Sequence, residues 1–331
     1  MNFHKNFLIV LTALILTSLL AGLVSLTIGS ANIPLSRLWE VLTVDSRSME
    51  YSIISQIRLP RLLLAYLVGA SLAGSGVVFQ GLLSNPLAGP FTLGISSGAA
   101  FGAICGLFFG WDSWFIPVGA MTGAALTLIF VFVLSGGRDN LDPRSLILAG
   151  IVVSSFFSAG ISLMKSLAGD SLSSIVFWIM GSLSARSWSD VHMLLPYFIV
   201  AVIILLIYSR DLDVLSLGFQ HAHSLGVDVG TSRLILLIAA SALAAASVSV
   251  SGVIGFVGLV IPHLLRMIIG PAHRRLFILS IFSGGLLLMA ADTCARSLAA
   301  FADIPVGVIT SLIGGPFFCY LMYKKKREEA L

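Results

Sequence analysis

RLPRLLLAYLVGASLAGSGVVFQGLLSNPLAGPFTLGISSGAAFGA, from Arg58 to Ala103, decides the fold. Beyond Arg61 it holds no charged side chain, and two apolar blocks flank one compact turn, Asn85-Pro86-Leu87-Ala88-Gly89-Pro90. Proline lacks an amide hydrogen and restrains the residue before it, so Pro86 and Pro90 end one helix and start the next. About 20 apolar residues cross a bilayer as a helix. The stretch therefore reads as two spans, 60–83 and 91–110, joined by a rigid connector.

The rest of the chain repeats this pattern. Of 331 residues, 57% are hydrophobic and 10% charged, whereas soluble chains carry about 25% charged residues. Short alternating segments of the porin type are absent, which leaves helices as the spanning element. Eight further apolar blocks lie at 6–29, 114–135, 145–168, 190–209, 232–250, 253–269, 276–298 and 306–323. The expectation is an all-α integral membrane protein of about ten spans, a single domain over 1–331, with a short helix outside the membrane at 171–185. The first block, with about 21 apolar residues, is too long for a signal-peptide core and reads as an uncleaved span.

Lys and Arg favour the cytoplasmic side of a membrane. With an even number of spans, Lys324, Lys325, Lys326 and Arg327 put both termini inside, with Lys5, Arg138, Arg144, Arg210, Arg233, Arg266, Arg274 and Arg275. Arg37, Arg47, Arg58, Arg61, Lys165, Arg186 and Arg296 fall outside, giving twelve inside and seven outside. The long outer stretch 30–59 adds Glu40, Asp45 and Glu50. The largest inner loop, about 210–232, is amphipathic: Leu212, Leu215, Leu217, Phe219 and Leu225 can pack while its polar residues face outward. Such a loop suits a docking surface.

Several chemistries are excluded. No Gly-Lys pair exists, so no phosphate-binding loop of the G-x-x-x-x-G-K-[ST] type is present. Gly74-Ser75-Gly76 begins like a dinucleotide fingerprint, but Phe79 stands at the third glycine position. The scattered basic residues form no nucleic-acid face. Cys105, Cys294 and Cys319 lack metal-ligand spacing and read as buried small apolar groups. His221 and His223 are two apart, a spacing that suits a strand and not one helix face. No metal or cofactor is expected. Gly69, Gly74 and Gly76, and Gly252, Gly255 and Gly258, fit close helix packing.

Two charge groupings remain. Asp292 and Arg296, four apart, share a helix face and can pair. Arg58 and Arg61 flank Leu59-Pro60 at a helix start, where positive charge opposes the macrodipole. Lipid phosphates or an acidic partner would compensate them. An ion-coupled secondary transporter is the alternative, but it needs ionisable groups within the spans, and Asp292 is the one acid deep in an apolar block.

Together these segments resemble the permeases of ABC importers for iron-siderophores, haem and cobalamin, the FecCD or cobalamin-permease type. The resemblance rests on the opening stretch, on SGVIGFVGLVIPHLLRMIIGPAHRR from Ser251 to Arg275, and on Ala291-Asp292 with Ala295-Arg296. Ile304-Pro305-Val306-Gly307-Val308-Ile309-Thr310, Gly314-Gly315-Pro316-Phe317 and Phe177-Trp178-Ile179-Met180-Gly181-Ser182-Leu183 complete it. It implies the type II ABC importer permease fold of ten helices, a homodimer with the path along its interface, and a bacterial or archaeal cytoplasmic membrane. It also implies two ATP-binding subunits at the cytoplasmic face, which hydrolyse the ATP, and an extracytoplasmic substrate-binding protein. On matching positions, Arg58, Arg61 and Arg296 would receive that protein's acidic residues. Gln220, His221, Ala222, Leu225 and Gly226 would sit on the ATPase. A metal chelate, most often an iron-siderophore, would be the cargo.

Overall fold

The structure, a computed structural model, describes residues 3–29, 33–34, 36–37, 40–41, 48–137, 142–298 and 304–329. Asp45, Arg47 and Arg138 lie outside the described residues, as do the side chains of Lys5, Phe219, Gln220, His221, Lys324, Lys325, Lys326 and Arg327. Among the described residues all regular structure is helical. In chain order the helices are α1 Phe3–Thr27, α2 Leu59–Leu82, α3 Ile95–Phe108, α4 Phe115–Leu134, α5 Pro143–Leu167 and α6 Leu172–Met180. They continue with α7 Trp188–Ile207, α8 Ser209–Leu215, α9 Phe219–Ser224, α10 Val229–Ser251, α11 Val257–Ile269, α12 His273–Leu298 and α13 Val306–Glu329. A short helix, Met49–Ser52, and a π-helical turn, Ile53–Arg58, lead without a break into α2.

Each expected span falls on one of these helices, and the short helix expected at 171–185 is α6. Helices α1, α2, α4, α5, α7, α10 and α12 are long and apolar enough to cross a membrane. Helices α3 and α11, with 14 and 13 residues, reach only about 20 Å at 1.5 Å per residue. Non-helical segments 83–94 and 252–256 take up the rest of those two apolar blocks.

Polar residues set the helix starts. Asp142 accepts hydrogen bonds from the amides of Arg144 and Ser145, with Pro143 at the first helical position of α5. Ser187 and Asp190 form a capping box on α7. Asp228 accepts from the Thr231 amide on α10.

Helices α2 and α10 form the centre: 78% of the most apolar window of each is buried, against 0% in α1. Helix α2 packs most extensively on α12, and also on α10, α11 and α7. Lipid supplies no hydrophobic drive for helix association, so close backbone approach must hold this centre. A Cβ on Gly69 would run into the Gly284 carbonyl, and one on Gly76 into that of Gly258. The packing role expected of Gly69, Gly74, Gly76 and Gly258 is thus observed; Gly255 differs, with only the Ser311 hydroxyl near it at 3.8 Å.

One expectation fails. Cys105 is half-buried, but Cys294 and Cys319 are exposed on the outside of the bundle. In a membrane bundle the outer helix faces are apolar too, so an apolar neighbourhood in sequence does not imply burial. Leu16, Leu19, Phe156 and Val200 are exposed in the same way.

Candidate functional site

Helix α12 is gripped by charged side chains at both ends. Near its carboxyl end the Asp292 carboxylate is buried between two arginines. Arg61 from α2 holds it bidentately, Nε at 3.0 and 3.1 Å from the two oxygens and Nη2 at 2.9 Å from Oδ1. Arg296, one turn along α12, donates from Nε to Oδ2 at 3.1 Å. Its Nη1 and Nη2 reach the Ile28 and Ser25 carbonyls at 3.0 and 3.1 Å, and Nη2 also meets the Ser25 hydroxyl at 2.6 Å. Arg58 is buried and donates to the Leu26 carbonyl at 2.6 Å and that of Thr27 at 3.3 Å. Three guanidinium groups thus meet one carboxylate and the carboxyl end of α1, whose last carbonyls have no intrahelical partner and carry the negative end of the macrodipole. These contacts compensate Arg58 and Arg61, which lie within a helix continuous from Met49 and not, as expected, at a helix start.

At the other end, Asp213 of α8 holds His273. Its Oδ1 accepts the His273 amide at 2.8 Å and faces ring Nδ1 at 2.7 Å. The amide is one of the orphan donors at the start of α12, so a neighbouring helix supplies the cap. The His273 ring is 3% exposed and Asp213 is 40% exposed. Burial pushes the Asp213 carboxyl up, but hydrogen bonds and charge from His273 outweigh it and hold it below the ordinary carboxylate range. Ser232 at the start of α10 donates to Asp211 at 2.6 Å, fastening α8 on a second side.

The segment 210–232 is structured, as α8 and α9. Leu212 and Leu215 are buried as expected; Leu217 and Leu225, expected to pack, are instead exposed at 65% and 64%. The amphipathic pattern is real, but two of its five apolar residues, Leu217 and Leu225, stand exposed. Ala222 is fully buried, and Gly226 turns the chain at φ +78°. Residues 219–224 are helical, which directs residues two apart to different faces. No group of metal-ligating side chains occurs among the described residues.

Apart from α12, a cavity of about 750 Å³ is lined by residues of α2, α6, α11, α13 and the segments before α3 and α11. Leu72 of α2, Pro90 and Phe91 before α3, Met180 of α6, Phe256 before α11 and Leu312 of α13 contribute to its wall. Among its described lining residues no side chain is charged, and Thr92 and Ser311 carry the only hydroxyls. The non-helical stretches 83–94 and 252–256 both border it, as non-helical backbone at membrane depth requires.

The structure therefore brings Arg58, Arg61 and Arg296 together and sets the loop of Ala222, Leu225 and Gly226 apart from them. The Arg61–Asp292 pair, the carbonyl caps on α1 and the Asp213–His273 contact had no sequence signal beyond residue type. Asp292 with Arg296 was readable from the four-residue spacing.

Comparison with known proteins places this arrangement. The profile of the FecCD transport family matches residues 15–324. The hemin transport system permease protein HmuU of Yersinia pestis is 41% identical over 330 residues, covering 96% of this chain and 97% of that one. The molybdate import system permease protein MolB of Haemophilus influenzae is 37% identical over 325 residues, 96% of each chain. A solved inward-facing structure described as a metal-chelate type ABC transporter superposes with a TM-score of 0.86 at 37% identity, covering 95% of this chain and 98% of the other.

Proposed function

Because the chain belongs to the FecCD transport family, we propose that it is the membrane permease subunit of an ATP-driven importer and carries a metal chelate. The cavity carries this reading of the cargo. A space of about 750 Å³ with an apolar wall suits a bulky ligand that shields its metal. An iron-siderophore is the first candidate, with haem and cobalamin of the same class.

Two copies enclose the path, and the chain performs no bond chemistry of its own. Both termini and residues 210–232 face the cytoplasm, where exposed Leu217 and Leu225 meet an ATP-binding subunit on each copy, with Gln220, His221, Ala222 and Gly226 shaping that seat. Arg58, Arg61 and Arg296 face the other side. Two arginines share one internal carboxylate there, leaving positive charge for acidic residues of a substrate-binding protein. Closure of the ATPase pair moves the loop and alternates access to the cavity, driven by the difference in contact between ATPase states.

The test is uptake of iron-55 as ferric hydroxamate, and of haem, into vesicles. They would contain this chain with the ATPase and binding protein encoded beside it. Uptake that needs ATP and the binding protein is expected. Uptake needing neither would overturn the importer and favour an ion-coupled carrier. Glu substitution at Arg61, rescued by a reversed charge on the binding protein, tests docking; unimpaired uptake would remove that assignment alone.

A further inference from the structure

Four helices converge on the last turn of α2. A Cβ on Gly81 would stand 2.7 Å from Nε2 of His273 and 2.9 Å from Cδ1 of Leu212, so α12 and α8 both pack against it. The Gln80 side chain donates to the Leu259 carbonyl of α11 at 3.1 Å. Arg233 reaches the same turn from α10, its Nη2 donating to the Leu82 carbonyl at 3.4 Å.

The way α2 ends explains the arginine. Ser84 takes φ +46°, a left-handed conformation uncommon for serine. Its amide donates to the Gly81 carbonyl, and that of Asn85 to the Gln80 carbonyl, both at 3.2 Å. This pair of bonds is a Schellman cap. It serves two of the four carbonyls that a helix end leaves over, and the Leu82 carbonyl is not one of them. Arg233 supplies a donor there, and its charge meets the negative end of the macrodipole. Arg233 is 7% exposed and shares a small apolar space with Phe79, Leu83, Leu146 and Leu237. The Asp142 carboxylate at the start of α5 offsets part of its charge. A charge so deep is costly unless paired and hydrogen-bonded, so these partners hold it in place.

The guanidinium joins two segments far apart in sequence. Arg233 lies in the second turn of α10, behind the Asp228 cap, and directly follows segment 210–232. The Leu82 carbonyl directly precedes the stretch 83–94, in which Leu87, Gly89, Pro90, Phe91 and Thr92 line the cavity.

We propose that Arg233 is a positioning residue that carries movement of segment 210–232 to the cavity wall. When the start of α10 shifts with that segment, the guanidinium draws the end of α2 and residues 84–92 with it. Leu212 also touches this turn, but an apolar contact is non-directional and can slide. A hydrogen bond from a charged donor fixes direction as well as distance. This rests on the reading of 210–232 as the segment that the ATP-binding subunit moves.

The first test uses the full chain alone in nanodiscs, read by amide hydrogen exchange. Arg233→Met keeps an apolar stem and removes donor and charge. It should speed exchange at Ser84 and Asn85 by about tenfold or more, the range for a hydrogen bond to a charged group. Asp228→Ala loosens the first turn of α10 and should speed exchange at Thr231 by about fivefold in either background. With Arg233 present, Asp228→Ala should also speed Ser84 and Asn85 by about twofold or more; in Arg233→Met it should add nothing there. If Arg233→Met does not fold, Arg233→Gln takes its place. A response at Ser84 and Asn85 that is absent, or equal with and without Arg233, overturns the proposal.

The second test adds the ATP-binding subunits and the binding protein, in vesicles, and counts ATP hydrolysed per ferric hydroxamate taken up. Arg233→Met should raise that ratio by about fivefold, with hydrolysis near the parental rate. Arg233→Lys should restore most of it. An equal loss of hydrolysis and uptake would show a structural role alone and overturn the proposal. Parent vesicles whose uptake ignores ATP would overturn the importer, and the exchange result would still decide whether Arg233 links the two segments.

Discussion

The two ends of α12 solve one problem with different strength. At the arginine end, a carboxylate 2% exposed is shared by Arg61 and Arg296, 16% and 12% exposed, and Arg296 also binds carbonyls at the end of α1. At the histidine end, a single carboxylate, 40% exposed, caps the helix and faces one ring nitrogen. The first is a closed brace joining α1, α2 and α12. The second is a contact open to water on one side, between α12 and the helix that begins the proposed coupling segment. Under the proposed mechanism, in which one end of α12 follows the coupling segment, this asymmetry serves the helix better than two equal anchors.

The largest effect tests the brace. Asp292→Ala leaves two guanidinium groups facing each other without a counter-charge. Removing one partner of a buried pair costs about 3–5 kcal/mol, so a large fall in the melting temperature of the detergent-purified protein is expected. Asp292→Asn should recover part of it, because hydrogen-bond acceptance survives without the charge. An unchanged melting temperature in Asp292→Ala would mean that the α1 carbonyls alone hold the arginines, and the contrast between the ends would collapse.

A smaller effect is expected at the other end. Asp213→Ala strands the buried His273 amide and ring, but water screens the half-open carboxylate, so the cost is about 1–2 kcal/mol. Hydrogen exchange should place the loss in α8 and the first turn of α12 and leave the turns around Asp292 protected. Equal deprotection at both ends would show that α12 responds as one rigid unit, with no independent histidine end.

The sequence displayed one half of this design. Apolar blocks marked every span, because lipid requires apolar faces and internally bonded backbone. The same measure overstated α3 and α11, since cavity-lining loops such as 252–256 are as apolar as a span. The Asp292–Arg296 pair followed from helix periodicity, whereas Arg61 meets Asp292 across 231 positions. Backbone carbonyls, which occupy much of Arg58 and Arg296, leave no mark in residue type. Gly252, Gly255 and Gly258 read as one packing motif. Only the structure separates Gly258, where an added Cβ would meet the Leu72 carbonyl, from Gly255, which has only the Ser311 hydroxyl near it. Leu217 and Leu225 misled because an amphipathic pattern does not say whether the apolar face meets its own chain or another.

The smallest effect tests the charge of the Asp213 carboxylate at the histidine end. Asp213 is held below the ordinary carboxylate range by His273. A carboxyl whose folded pKa is depressed adds stability that is complete above its unfolded value, about 3.9, and is lost as pH falls through the folded value. The melting-temperature gap between the parent and Asp213→Asn should therefore hold from pH 7 down to about pH 5 and close below about pH 4. A gap that keeps its size across the whole range would assign the stability to the two hydrogen bonds alone. It would make the two ends differ in kind, charge at Asp292 and capping at Asp213, as well as in strength.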